Sequence, residues 1–108
     1  MGLDQYGFAR KGEEQLDIAY WRKHSDLEGW MANLYKERGG AGEFNCVELR
    51  LFEDDLWLLE QQYQNLESAI GFFWGASEEE DDATTRAFIE DAKSLMADGY
   101  EIIYTSWW

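Results

Sequence analysis

Three stretches of this chain repeat apolar residues at helical spacing, and its two ends do not. Leu27, Trp30, Met31 and Leu34 fall at i, i+3, i+4 and i+7, which makes one stripe on a helix. Phe52, Leu56, Leu59, Tyr63 and Leu66 recur at intervals of 4, 3, 4 and 3, a second helical face. Phe88, Ile89, Ala92, Leu95 and Met96 form a third. At the start, Tyr6 and Phe8 sit two apart within residues 3–9, so they share one face of a strand. Tyr100 to Trp107 is again rich in β-formers. A helix that is apolar on one stripe must bury it against another element, so these pieces belong to one folded layer arrangement.

The spacing predicts helices over Ile18–Glu37, over Glu53–Ser68, and from Asp81 or Asp82 to just before Gly99. Lys11-Gly12-Glu13-Glu14 reads as a loop. Gly39-Gly40-Ala41-Gly42 stops the first helix, and Gly99 is placed as the residue that turns the chain out of the third. Phe44–Leu49 reads as a short strand, and Ile70–Gly75 as an aromatic loop or short strand between glycines. The order strand, helix, short strand, helix, helix, strand predicts an α+β fold. Three helices are expected on one face of a small antiparallel sheet that pairs the N- and C-terminal strands. The 108 residues fit a single domain over 1–108.

Charge narrows the function. Nine Lys+Arg stand against 23 Asp+Glu, a net charge of −14, yet 17% of the chain is aromatic. An acidic disordered segment would be poor in aromatics, so the acidity belongs to the surface of a folded protein. Phosphate recognition needs clustered cations, and direct binding to nucleic acid or to an anionic membrane is not expected. The excess is uneven: residues 1–50 hold 7 Lys+Arg and 9 Asp+Glu, residues 51–108 hold 2 and 14. An anion site would therefore lie in the first half, and an acidic face for a basic partner in the second. One Cys makes no internal disulfide, which fits a reducing compartment. No apolar run approaches the ~20 residues of a membrane span. Met1-Gly2-Leu3-Asp4 lacks a basic n-region and an apolar h-region. Tyr6 stands where a myristoylation motif takes Ser or Thr. The expected location is the cytoplasm.

Several short blocks occur together: Met1-Gly2-Leu3-Asp4-x-Tyr6, Tyr20-Trp21-Arg22-Lys23 leading a segment that carries Trp30, Asn45-Cys46, Gly71-Phe72-Phe73-Trp74-Gly75, and Tyr104-x-Ser106-Trp107. In this order the chain resembles a family of small phage and prophage proteins, some of which bear a phosphoglycerate kinase label. The chain differs from that pattern by a shorter segment after the first strand. The resemblance implies a phage origin, location in the host cytoplasm and a shared fold. It implies no kinase chemistry: 108 residues cannot build two domains closing on nucleotide and substrate, and no G-x-x-x-x-G-K-[ST] loop is present to cradle phosphates.

The candidate binding residues are Trp21, Arg22, Lys23, His24, Asn45, Cys46, Phe73 and Trp74. Arg22 and Lys23 at a predicted helix start oppose the helix dipole, and an internal salt bridge to Asp4, Glu13 or Asp17 is the expected resolution. Trp21 is expected in the core. Phe72-Phe73-Trp74 is read as a core plug between helices, or as flat rings for a partner. His24 and Cys46 are too few for a structural zinc site, so no metal and no cofactor are expected. A Cys46–His24 pair oriented by Asn45 would be nucleophilic if the side chains met; a buried, inert Cys is the expected state. Glu78-Glu79-Glu80-Asp81-Asp82 reads as a solvated loop and helix start. Of the last two residues, Trp107 is expected to pack and Trp108 to stay partly exposed. No catalytic residue is assigned.

Three functions remain in this order. The first is a non-enzymatic phage accessory protein that acts by protein–protein interaction. The second is a small ligand-binding protein or enzyme with an anion pocket at Arg22, Lys23 and His24. The third is an acidic nucleic-acid mimic.

Overall fold

The computed structural model describes residues 3–66 and 81–108. Its elements are β1 (Asp4–Lys11), β2 (Glu14–Arg22), α1 (Ser25–Glu37), β3 (Leu49–Leu51), α2 (Glu53–Gln62) with a following 3-10 turn at Tyr63–Asn65, α3 (Asp81–Ala97) and β4 (Glu101–Trp107). The fold is α+β. The sheet is antiparallel with the order β2-β1-β4-β3, and the first and last strands pair at its centre, Asp4 opposite Trp107 and Arg10 opposite Glu101.

One element differs from the sequence reading. The stretch Ile18–Arg22, predicted as the start of a helix, is instead the second half of a hairpin strand. Lys11 and Glu14 pair across the two-residue loop Gly12-Glu13, and Gly12 has φ 60. A Gly-X loop with positive φ at its first residue matches the twist of the flanking strands. The strand carries a bulge opposite Gly7 and Phe8. It closes at Lys23, which takes φ 60 while its N–H donates to the Leu3 carbonyl at 2.9 Å. Arg22 and Lys23 therefore precede α1 rather than opening it. The first turn of α1 holds Asp26 and Glu28, the sign the dipole favours.

The strand expected over Phe44–Leu49 forms instead at Leu49–Leu51. Leu49 and Leu51 point inward around exposed Arg50, while Phe44 leaves the extended path to stack 6.1 Å from the Tyr104 ring. Cys46 then takes φ 60, which ends any strand through it. The second helix ends at Gln62, and the part of its predicted range beyond Leu66 lies outside the described residues. α3 has the predicted start and end. Its last turn closes with Gly99 N–H on the Met96 carbonyl and Tyr100 N–H on the Leu95 carbonyl, with Gly99 at φ 95, the paired bonds of a Schellman ending. The same pattern ends α1, from Gly39 to Lys36 and from Gly40 to Tyr35.

The strand parity sorts the sheet into two faces. Leu3 just before the first strand, Gln5, Gly7 and Ala9 on it, and Ile102, Tyr104 and Ser106 of the last point to the helices and are buried. Trp21 joins them from β2, 1% exposed. Its indole N–H donates to Thr85 Oγ1 at 3.0 Å, and its ring meets Phe88 edge-on at 5.1 Å. Tyr6 and Phe8 do share a face, but it is the opposite one. Among the described residues, no helix packs there.

The central strand carries α3 at van der Waals distance. A Cβ on Gly7 would lie 2.4 Å from Phe88 Cε1, so the glycine is what lets the ring sit on β1. Gly7→Ala is expected to destabilise the fold by about 1–3 kcal/mol through this overpacking. A shift of the urea midpoint at unchanged slope checks it, and an unchanged midpoint refutes it.

Candidate functional site

Glu28 is the carboxylate that sequence reasoning passed over. It sits on α1 between Leu27 and Met31 and is fully buried. Its side chain reaches the inner face of β4. Tyr104 OH donates to Oε1 at 2.7 Å, Ser106 Oγ donates to Oε2 at 2.7 Å, and Trp108 Nε1 donates to Oε2 at 3.2 Å. A buried carboxylate with three donors is the arrangement that offsets the loss of water.

The direction of this network is fixed from one end. The His24 backbone N–H can only donate, and it donates to Gln5 Oε1 at 2.8 Å. The Gln5 amide nitrogen then faces the His24 carbonyl at 2.9 Å and Tyr104 OH at 2.8 Å. The phenol accepts from Gln5 and so spends its own proton on Glu28. Burial pushes the Glu28 carboxyl above its usual range, and the bonds from Tyr104, Ser106 and Trp108 pull it part of the way back. Burial, with the facing Glu28 charge, holds the Tyr104 phenol well above its ordinary value.

Three of the sequence candidates converge on this corner. Asn45 grips the backbone of Trp108, with Nδ2 donating to its carbonyl at 2.9 Å and Oδ1 accepting from its N–H at 3.0 Å. The Cys46 N–H donates to the Ser106 carbonyl at 2.7 Å. His24 supplies both backbone groups to Gln5 and is itself buried. Cys46 is exposed, against expectation, because its left-handed backbone turns the segment outward after Asn45; its thiol faces Asn45 Oδ1 at 3.5 Å.

The remaining candidates lie elsewhere. Arg22 is exposed at the end of β2, opposite Asp4. Lys23 is half-buried at the turn into α1. Ion pairs among the described residues use other cations: Arg10–Glu48 at 3.0 Å, Arg38–Asp55, Arg50–Glu101 at 3.4 Å and Lys93–Glu60 at 2.7 Å. Asp4 instead accepts from Tyr20 OH at 2.6 Å. Phe73 and Trp74, with Phe72 and Glu78 to Glu80, fall outside the described residues. Among the described residues, no group of three or more His, Cys, Asp or Glu is placed to hold a metal, and no helix is long and apolar enough to cross a membrane.

Of the two last tryptophans, Trp107 departs from the expectation that it packs, and Trp108 is half-buried, as expected of it. Trp107 is 62% exposed, because strand parity sends it to the open face beside Asp4. Trp108 is tied in by Glu28, by Asn45 and by the Phe44 carbonyl, which accepts from Nε1 at 2.9 Å.

The open face is divided. At one end Phe8 is buried under the Arg10 guanidinium, 5.3 Å from the ring centre, and Glu48 holds that guanidinium through both nitrogens at 3.3 and 3.0 Å. At the other end Tyr6, Tyr20 and Trp107 are uncovered, with the two tyrosine rings 5.4 Å apart. No family model, no curated protein and no solved structure matches this chain.

The raised Glu28 carboxyl makes a signed prediction. A group whose folded value exceeds its unfolded value contributes its stability fully below the unfolded value, and loses it as pH rises through the folded one. The Glu28 contribution therefore falls as pH rises from about 4.5. Glu28→Gln is expected to flatten the stability–pH curve over that window, measured by urea midpoints; an unchanged slope refutes it. Trp108→Ala is expected to cost about 2 kcal/mol, below the range for fully buried aromatics because the ring is half-buried. A midpoint equal to wild type refutes that assignment.

Proposed function

We propose that this chain is a non-enzymatic accessory protein of a phage, acting in the host cytoplasm by docking a protein partner on the open face of its sheet. The observation that carries the reading is the uncovered cluster of Tyr6, Tyr20 and Trp107 on three adjacent strands. Large aromatic side chains bury much area at low entropic cost, which is why they anchor protein interfaces. Asp4 and Arg22 flank the cluster and supply the polar rim that such interfaces carry. The buried polar groups support the same reading from the other side. Glu28 and Tyr104 have acid–base chemistry, but both are sealed in the interior, where no substrate reaches them. Their bonds serve to hold α1, the two central strands and the Asn45 segment together.

The test is affinity capture from infected host cells, followed by mass spectrometry, with wild type and Tyr6→Ser/Trp107→Ser in parallel. Both side chains are exposed, so the variant is expected to keep the wild-type far-UV spectrum. The wild type is expected to retain a partner that the variant loses. A partner kept equally by both, or no partner for the wild type, overturns the proposal.

A further inference from the structure

One strand of the sheet is long, exposed and paired on one side only. β2 runs nine residues and pairs with β1; among the described residues no strand lies on its outer edge. The opposite edge is the three-residue β3. A long unpaired edge is a template for strand addition. Its flanking side chains include Leu16, 37% exposed, and Tyr20, 50% exposed.

The charges along this edge are sorted rather than scattered. Glu13, Glu14 and Asp17 occupy the hairpin end, and Arg22 and Lys23 the other. All but Lys23 are exposed. Neither cation joins an ion pair among the described residues. Such a strand is complementary to itself when reversed. Set antiparallel, the acidic end of each copy meets the basic end of the other. Set parallel, like charges face each other, which is destabilising across strands.

We propose that β2 pairs antiparallel with β2 of a second copy of this chain, about a two-fold axis near the bulge, to form one continuous eight-stranded sheet. The axis is isologous, so each acidic–basic contact is made twice. Both open faces then lie on the same side, with the two Tyr6–Tyr20–Trp107 clusters toward opposite ends of the joined strands. The inference goes beyond the partner docking described above and uses the strand edge rather than the face.

Sedimentation equilibrium in about 0.15 M salt tests it, where the Debye length of about 8 Å screens repulsion between two acidic chains but leaves cross-strand pairs intact. The wild type is expected to dimerise. Arg22→Glu sets acid against acid and is expected to raise the dimer dissociation constant at least tenfold. With Glu13 of one copy set opposite Arg22 of the other, Glu13→Lys/Arg22→Glu exchanges the charges of that pair and is expected to restore it. Glu13→Lys/Asp17→Lys reverses the other end, sets base against base, and weakens the dimer independently should Arg22→Glu fail to fold by circular dichroism. Tyr6→Ser/Trp107→Ser is expected to leave the dimer intact. A monomeric wild type, a folded charge-reversal variant that dimerises as wild type does, or a swap that restores nothing overturns the proposal.

Discussion

The buried carboxylate of Glu28 is the constraint on which the interior of this protein depends. A carboxyl group away from water must be surrounded by hydrogen-bond partners, and here the partners come from remote parts of the chain. Tyr104 and Ser106 arrive from the last strand and Trp108 from the residue after it, while Gln5 on the first strand orients the phenol that completes the set. Apolar contacts alone tolerate sliding, because one hydrocarbon surface replaces another. A hydrogen bond 2.7 Å long does not. The network therefore fixes α1 against the sheet at one angle and one register. The aromatic packing of Trp21, Phe44, Phe88 and Tyr104 then fills the space so defined.

Fixing the inner face also decides the outer one. Strand side chains alternate, so each residue sent inward to meet Glu28 sends its neighbour out. Ser106 goes in and Trp107 goes out; Gln5 goes in and Tyr6 goes out. The exposed aromatic cluster is thus the other half of the pattern that builds the core. The Arg10–Glu48 pair covers Phe8 at the far end and leaves the cluster bounded.

Much of the fold was legible in the sequence because helical periodicity and glycine punctuation are local signals. The stripes of α1 and α3 lie where their apolar spacing put them; of the α2 stripe Leu56 and Leu59 are buried on the helix and Tyr63 just after it, while Phe52 stands exposed before it, and Gly39 and Gly99 end helices for the reason their missing side chains suggest. The hairpin was hidden because Ile18 and Trp21 stand three apart, a helical interval, and because an edge strand carries polar residues on both faces. The site was half legible. His24, Asn45 and Cys46 do meet at one corner, though through backbone and amide groups rather than through a thiol and an imidazole. Glu28 had a signal that was available: it sits within the apolar stripe of its own helix, one residue after Leu27 and three before Met31. Whether Tyr6 or Gln5 points inward depends on what covers the sheet, and no local pattern carries that information.

The central pairing of the first strand with the last has a consequence for how the chain is made. The hairpin of β1 and β2 can close as soon as β2 is out of the ribosome. The other flank of β1 must wait for a strand that lies almost the whole described chain away, with Asp4 opposite Trp107. Until then the central strand has a bare edge, and Glu28 has none of its three donors. Such non-local pairing slows folding and leaves nascent chains prone to aggregate. Emergence of β4 therefore brings one late, concerted step, in which the sheet, the packing of the first helix and the donors of the buried carboxylate are completed together.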